Sequence, residues 1–387
     1  MLITDSKTLE TCCRRLEGAP YLAVDTEFLR EKTYWAKLCL IQVAHGDVVA
    51  AIDPLAPGMD LAPLFALFDD DDVVKVLHSA SQDMEILLQT AGRLPRTVFD
   101  TQVAAMVAGY GEQVGYASLT KQVTGAQLDK ASQSTDWSRR PLTERQIAYA
   151  LEDVTHLCVI YEHLLEHLAS SGRDSWVTQE MSALSDESRY QTDPAQAYRR
   201  LKIRRPTRRT LAALQAVAEW REQTAQRRDL PRGWVVRDEA LIEIANHQPS
   251  SAHELERVRG IKPATAKGRD GQALLQAVES ALAAPEETWP ELPARRIPAR
   301  GDDTVISLLQ ALLKLRCAEH DVAPKLVANR EELQQIAGSD DEDLRPLKGW
   351  RRALFGEDAL ALKAGKLALT VEGSRVRAVS VPDRDGT

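Results

Sequence analysis

The sequence predicts an α/β domain, a mixed sheet flanked by helices, followed by two small all-α domains. Apolar, β-branched runs near 21–27, 37–44 and 48–53 precede a helical pattern near 61–68 and a further strand near 73–78. Three strands ahead of any helix make an antiparallel meander that feeds a crossover, hence a mixed sheet. Beyond residue 190 the pattern turns helical, and there the chain repeats itself. A gapless shift of 92 residues lays Arg228–Ala245 over His320–Ala337, where Asp229, Val235, Glu239, Leu241, Ile244 and Ala245 meet identical residues. A period of that kind marks two copies of one helical unit.

The first strand carries the first chemistry. Residues 21–28 read Tyr-Leu-Ala-Val-Asp-Thr-Glu-Phe. Side chains two apart on a strand share a face, so Asp25 and Glu27 point at one spot. Two like charges held that close repel unless a cation lies between them, and magnesium or manganese suits an oxygen-only site.

In the next strand-to-helix passage, residues 73–88, Asp83 falls in the first turn of a helix near 82–91. A carboxylate there is favoured by the helix dipole and faces the C-terminal end of a sheet. Helical patterns follow near 100–108, 116–122 and 143–169. Thr143 and Gln146 have the spacing of a capping box that opens the last of these. Its buried stripe runs through Ile147, Ala150, Leu151, Val154, Cys158, Tyr161, Leu165 and Leu168. Tyr149 and Asp153, four apart, share a face along the edge of that stripe.

Asp-x-Glu on a strand, Asp at a helix start and Tyr-x-x-x-Asp on a late helix resemble the tyrosine-type DEDD 3′-to-5′ exonucleases, and within them bacterial ribonuclease D. The words around them are similar too: Val24–Phe28, Thr33–Gln42, Phe99–Gln102 and Asp129–Leu142. One departure is Gln82, where many relatives carry an aromatic residue; Asp83 is retained. The resemblance implies a ribonuclease H-like fold and an enzyme that trims the 3′ ends of structured RNA precursors, chiefly tRNA, releasing nucleoside monophosphates.

A phosphodiester is already anionic, so an attacking hydroxide is repelled, and two divalent ions about 3.5–4 Å apart offset charge on both the entering and leaving oxygens. Asp25, Glu27, Asp83 and Asp153 are the expected ligands of two Mg2+ ions, or Mn2+, with Asp25 bridging and Asp83 acting largely through water. Tyr149 is expected to hold the attacking water in line, because a phenol with an ordinary pKa near 10 is an indifferent base at neutral pH. Phe28, Tyr34, Trp35 and Trp137 are candidates for stacking on bases. His78 is a candidate for the terminal sugar.

The formal charge of −8 divides unevenly: residues 1–190 hold 16 basic and 28 acidic side chains, and the remainder 33 and 29. Acidity thus collects in the domain with the expected metal site, where cations offset it. The run Tyr198–Arg209 holds seven Lys or Arg in its last eleven residues, and Arg204 and Arg205 are candidates for phosphate contact. Five cysteines, Cys12, Cys13, Cys39, Cys158 and Cys317, lack Cys-x-x-Cys spacing and read as reduced thiols of a cytoplasmic protein. No apolar run approaches the roughly 20 residues of a membrane span, and the N-terminus has no signal-peptide pattern.

Each helical copy resembles an HRDC domain, the module that follows the nuclease domain in this family. The expected organisation is an exonuclease domain at 1–190, a basic linker at 191–206, a first HRDC-like domain at 207–285, a Pro-rich linker at 286–300, a second at 301–371 and a loose tail at 372–387.

Other readings compete. His163-Leu-Leu-Glu-His167 has the H-x-x-E-H spacing of inverted zinc peptidases, against a solvated face at a helix end. A silent RNA-binding scaffold would have no chemical need for four carboxylates and a tyrosine. A DNA exonuclease would keep the chemistry, and no Walker loop points to a fused helicase.

Overall fold

The computed structural model of the chain describes residues 1–128, 135–292, 302–339 and 343–382. Residues 129–134 of the motif that starts at Asp129, most of the expected Pro-rich linker (293–300) and the last residues of the tail (383–387) lie outside the described residues.

Six strands form the sheet: β1 Leu2–Ile3, β2 Tyr21–Leu29, β3 Lys37–His45, β4 Val48–Ile52, β5 Val74–Leu77 and β6 Val98–Asp100, in the order β1-β4-β3-β2-β5-β6. β2, β3 and β4 are antiparallel to their neighbours in the meander, while β5 runs parallel to β2 and β6 parallel to β5. The expected mixed sheet is therefore present.

Three elements were not anticipated in this part. Helix α1, Ser6–Leu16, precedes the meander, capped by Asp5, whose carboxylate accepts from Thr8 N at 2.9 Å. Its Leu9, Cys12, Cys13 and Leu16 are buried at helical spacing. β1 and β6 have only two and three residues, too few for an alternation to register. β6 runs straight into α4, Thr101–Val107, so the helix expected from residue 100 begins as a strand; Asp100 caps it and also accepts from Ser79 N and Ala80 N at 2.9 Å.

Helices α2 Ala62–Asp69, α3 Ser81–Ala91, α5 Tyr116–Thr124, α6 Glu144–Ser171 and α7 Asp174–Ser182 complete the domain. α6 opens on the Thr143/Gln146 capping box and packs across β2, β3 and β4 through Ala150, Val154, Leu157, Tyr161 and Leu164. This long helix fixes the site, because one face of it lies against the strand that carries Asp25 and Glu27.

The first helical unit comprises α8 Arg208–Arg228, α9 Arg232–Val235, α10 Asp238–His247, α11 Ala252–Leu255, α12 Pro263–Lys267 and α13 Arg269–Ala283, with its own core. The second holds α14 Asp302–Glu319, α15 Pro324–Val327, α16 Arg330–Gly338, α17 Gly349–Arg351 and α18 Glu357–Lys363. The repeat shift places α9 on α15 end for end and α10 on α16 to within one residue.

The two copies are used differently. The second shares a continuous core with the sheet domain. Trp350 stacks on Trp176 at 4.7 Å, and buried Arg351 pairs with Glu180 at 2.6 Å. The first meets the loop after β2 through Tyr34, whose hydroxyl donates to the fully buried Glu222, while Arg232 pairs with Glu222 and lies 4.6 Å over the Tyr34 ring. Asp229 accepts from the backbone N–H groups of Tyr34 and Trp35 at 3.0 Å.

Two further expectations change. Within the expected basic linker, a 3-10 segment at Pro194–Arg200 packs on α8, with Ala197 and Leu201 in the core of the first unit. The expected loose tail instead contributes to a hairpin, β7 Leu367–Glu372 with β8 Arg375–Ser380. Its inward face is only Leu367, Leu369 and Ala378, half-buried against the main core, and the other side chains of β8 are exposed, too little alternation for a sequence pattern to reveal.

Candidate active site

Strand β2 widens at its end: the register with β3 shifts between Glu27 and Phe28, a bulge that turns the strand where its carboxylates project. Asp25 and Glu27 there meet Asp153 of α6, and one oxygen from each lies within 4.8 Å of the others. Asp83, in the first turn of α3, lines the same cavity and accepts from Thr26 Oγ1 at 2.5 Å. Asp83 is outside the close group of three. Tyr149, half-buried one turn before Asp153, shares its face of α6 and lines the same cavity. The cavity has a volume of about 340 Å³ and is also lined by Phe28, His78, Gln82 and Tyr116.

Among the described residues, no Lys or Arg lines this cavity. Burial, with repulsion from Asp83, Asp153 and Glu27, holds Asp25 well above the usual carboxylate range. Burial and the charges of Asp153 and Asp83 push Glu27 up to about 9. Burial raises Asp153 to about 7, and Asp83 to about 6 against the opposing Thr26 hydrogen bond. Asp153 Oδ1 is buried with no hydrogen-bond partner. Buried polar atoms are almost always paired. An orphaned carboxylate oxygen beside two more carboxylates is a donor set of hard oxygens that fits a divalent cation.

Unfolded carboxylates titrate near pH 4. The folded chain therefore binds more protons than the unfolded chain from about pH 4 upward, so stability without divalent ions falls as pH rises through the raised pKa values. Thermal melts in a chelator should show a midpoint that drops between about pH 5 and pH 9. Magnesium should restore it, and more strongly at the higher pH, because ligands must lose their protons to bind a cation. A melting point in chelator that rises over that range would contradict this reading of the site.

The other candidates separate. Phe28 and His78 line the cavity. Tyr34 does not contact substrate space: it is buried in the interface with the first helical unit. Trp137 is also buried, packed 6.2 Å from the Tyr149 ring amid Cys39, Leu40 and Leu142, so it backs Tyr149 rather than meeting a base. Both are aromatic residues beside apolar strands, where burial is the commoner fate. Trp35, half-buried, rests edge-on against Tyr34. Arg204 and Arg205 are exposed and line no part of the cavity. His163 faces Tyr110, whose hydroxyl lies 2.5 Å from its Nε2, while His167 is exposed; among the described residues they form no metal-binding group.

Sequence reading missed Thr26, which holds Asp83, and Tyr116, whose hydroxyl donates to the Asp153 carbonyl and whose ring lies 5.2 Å from His78. It also missed Gln42, opposite Asp25 in the sheet, wholly buried with neither amide atom partnered. A polar residue inside the apolar run 38–44 was the available signal.

Comparison with known proteins agrees with this architecture. The 3′-5′ exonuclease family matches residues 1–169, and the HRDC domain matches residues 210–278. Ribonuclease D of Gluconacetobacter diazotrophicus is 47% identical over 379 residues, covering 98% of this chain and 96% of that protein. Ribonuclease D of Granulibacter bethesdensis is 46% identical over 380 residues, with the same coverage. The crystal structure of Escherichia coli RNase D superposes with a TM-score of 0.82 at 32% identity, over 94% of this chain and 98% of that one. Full-length identity of this order, a shared fold and a carboxylate cavity at the end of β2 lead to one conclusion: the chain belongs to the ribonuclease D family of 3′-5′ exoribonucleases.

Proposed function

We propose that this enzyme trims the 3′ ends of structured RNA precursors, chiefly tRNA, by phosphodiester hydrolysis that releases nucleoside 5′-monophosphates in the cytoplasm. The observation that carries the reading is the convergence of Asp25, Glu27 and Asp153 within 4.8 Å, with Asp83 and Tyr149 beside them. The E. coli relative is described as an exoribonuclease involved in structured RNA processing.

Two Mg2+ ions, or Mn2+, held by Asp25, Glu27, Asp83 and Asp153, would supply charge neutralisation and an activated water. The rest is the work of this chain's side chains. A phenol with an ordinary pKa near 10 keeps its proton at neutral pH, and burial of the Tyr149 ring favours the protonated form further, so it orients water instead of accepting a proton. The Thr101 hydroxyl donates to the Leu77 carbonyl and so accepts from His78 Nδ1 at 3.0 Å. That fixes the tautomer of a ring whose burial disfavours its charged form. The buried, unpartnered Nε2 is left as an acceptor at the cavity wall, suited to a hydroxyl of the terminal sugar. Phe28 offers a face for the terminal base.

Digestion of a 3′-extended tRNA and a matched single-stranded DNA, with magnesium and with EDTA, tests this on a denaturing gel. Stepwise, magnesium-dependent shortening of the RNA from its 3′ end, with mononucleotide products, is the expected result. Equal or faster DNA digestion would move the substrate to DNA. Tight RNA binding without shortening would leave a silent binder.

A further inference from the structure

Behind Tyr149 lies an ion pair that contributes nothing to the lining of the carboxylate cavity. Asp53 follows the last residue of β4 and is buried. Arg140 grips it with a planar fork: Nε donates to Oδ2 and Nη2 to Oδ1, both at 2.6 Å. The remaining donors reach backbone carbonyls. Nη2 meets that of Cys39 on β3 at 2.7 Å, and Nη1 those of Trp137 at 2.7 Å and Arg139 at 2.8 Å. A guanidinium has five N–H groups, and here the fork and the carbonyls engage them all.

A buried ion pair adds little to stability by itself, because desolvation offsets the attraction and apolar side chains often serve a fold as well. What a bidentate fork supplies is direction. Here that direction is imposed on a short strap of chain, residues 135–142. At its start Thr135 Oγ1 accepts from Gln146 Nε2 at 3.2 Å, in the first turn of α6. Near its end Arg140 ties it to β3 and β4. Between the two ties sits the buried Trp137, whose Nε1 has no hydrogen-bond partner among the described residues. The ring is therefore placed by apolar contact with Leu40, Leu142 and Ala150 and by the backbone that carries it, which Arg140 holds through the Trp137 carbonyl.

Tyr149 stands against that ring, with the centroids 6.2 Å apart and the planes tilted by 36°. The two belong to a small cluster of their own, separate from the core under the rest of the sheet. Tyr149 is half-buried, with the cavity before it and the indole behind. The indole is thus the wall that keeps the phenol from receding, and the wall's own position depends on Arg140.

We infer that Arg140, locked on Asp53, is a positioning residue for hydrolysis: by holding Trp137 against Tyr149 it fixes where the phenol hydroxyl stands in the cavity. The inference rests on the reading of Tyr149 as the side chain that orients water, whereas the placement of its ring can be measured without turnover.

The test combines steady-state hydrolysis of a 3′-extended tRNA with fluorine NMR of protein labelled with fluorotyrosine, the Tyr149 signal being assigned by its absence from Tyr149→Phe. Arg140→Lys keeps the charge and loses the fork. It should shift the Tyr149 signal, lower kcat about ten-fold and leave KM and magnesium affinity near wild type. Asp53→Asn, which turns one acceptor of the fork into a donor, should do the same, and it decides the matter where Arg140→Lys does not fold. In a Tyr149→Phe background either substitution should change kcat by less than about two-fold, since residues that act through one group are not additive. An unmoved Tyr149 signal in the folded variants would overturn the inference. So would full turnover by them where Tyr149→Phe is impaired. Losses in kcat that multiply with that of Tyr149→Phe would overturn it too, leaving the ion pair a support of the fold alone. A Tyr149 signal that moves in both variants, while Tyr149→Phe itself turns over fully, would sustain the positioning and sink the water-orienting reading.

Discussion

Asp25→Asn should reduce magnesium-dependent hydrolysis by about 10³-fold or more while making the metal-free protein more stable at high pH. Even groups that only orient metal ligands cost about 10- to 100-fold when removed. A direct ligand that faces three other carboxylates should cost more. The stability gain has the opposite sign for a physical reason: burial and the charges of Asp83, Asp153 and Glu27 make ionised Asp25 unfavourable, and asparagine cannot ionise. Melting curves in EDTA at about pH 9 should therefore place the variant above wild type, and calorimetric titration should show magnesium affinity greatly reduced. A variant that keeps near-wild-type turnover would remove Asp25 from the site. One that is inactive and also less stable at pH 9 would mean that the carboxylate serves the fold.

Tyr149→Phe should lower kcat by about 10²-fold and leave magnesium affinity and KM near wild type. The loss is the cost of a mispositioned water, since small errors in the alignment of a nucleophile cost about that much. The ring would keep its packing beside Trp137. Because the phenol stays protonated across the neutral range, the pH profile of the residual activity should keep its shape. If Tyr149 were the proton acceptor instead, wild-type activity would climb with pH toward the raised phenol pKa, and the variant would lose that climb. Loss of magnesium binding in the variant would show that the hydroxyl supports Asp153 more than water.

Much of this was legible because strands and helices announce their faces. The two-residue period places Asp25 beside Glu27, and the four-residue spacing places Tyr149 beside Asp153; local geometry sets both pairs. The repeat was legible for the same reason, since α9 and α15 have matching bounds. β1 and β6 were not, being held by neighbouring strands and not by any pattern of their own.

The aromatic residues mark the boundary. Phe28, Tyr34 and Trp137 offer the same kind of surface for stacking, yet Phe28 lines the cavity, Tyr34 is enclosed by Glu222 and Arg232, and Trp137 lies behind Tyr149. Which fate each meets depends on elements roughly 190 or 10 residues away in sequence, brought close only by folding.

The sequence by itself determined the longer patterned elements, from β2 to α6, the pairing of side chains within each, and the duplicated helical unit, because those follow from backbone periodicity and short-range sterics. The tertiary structure decided that Asp153 joins Asp25 and Glu27, that Asp83 stands apart on Thr26, that one helical copy merges with the sheet domain's core and that the other is left presenting Trp234, because the packing of distant surfaces settles which side chains lose water and which keep it.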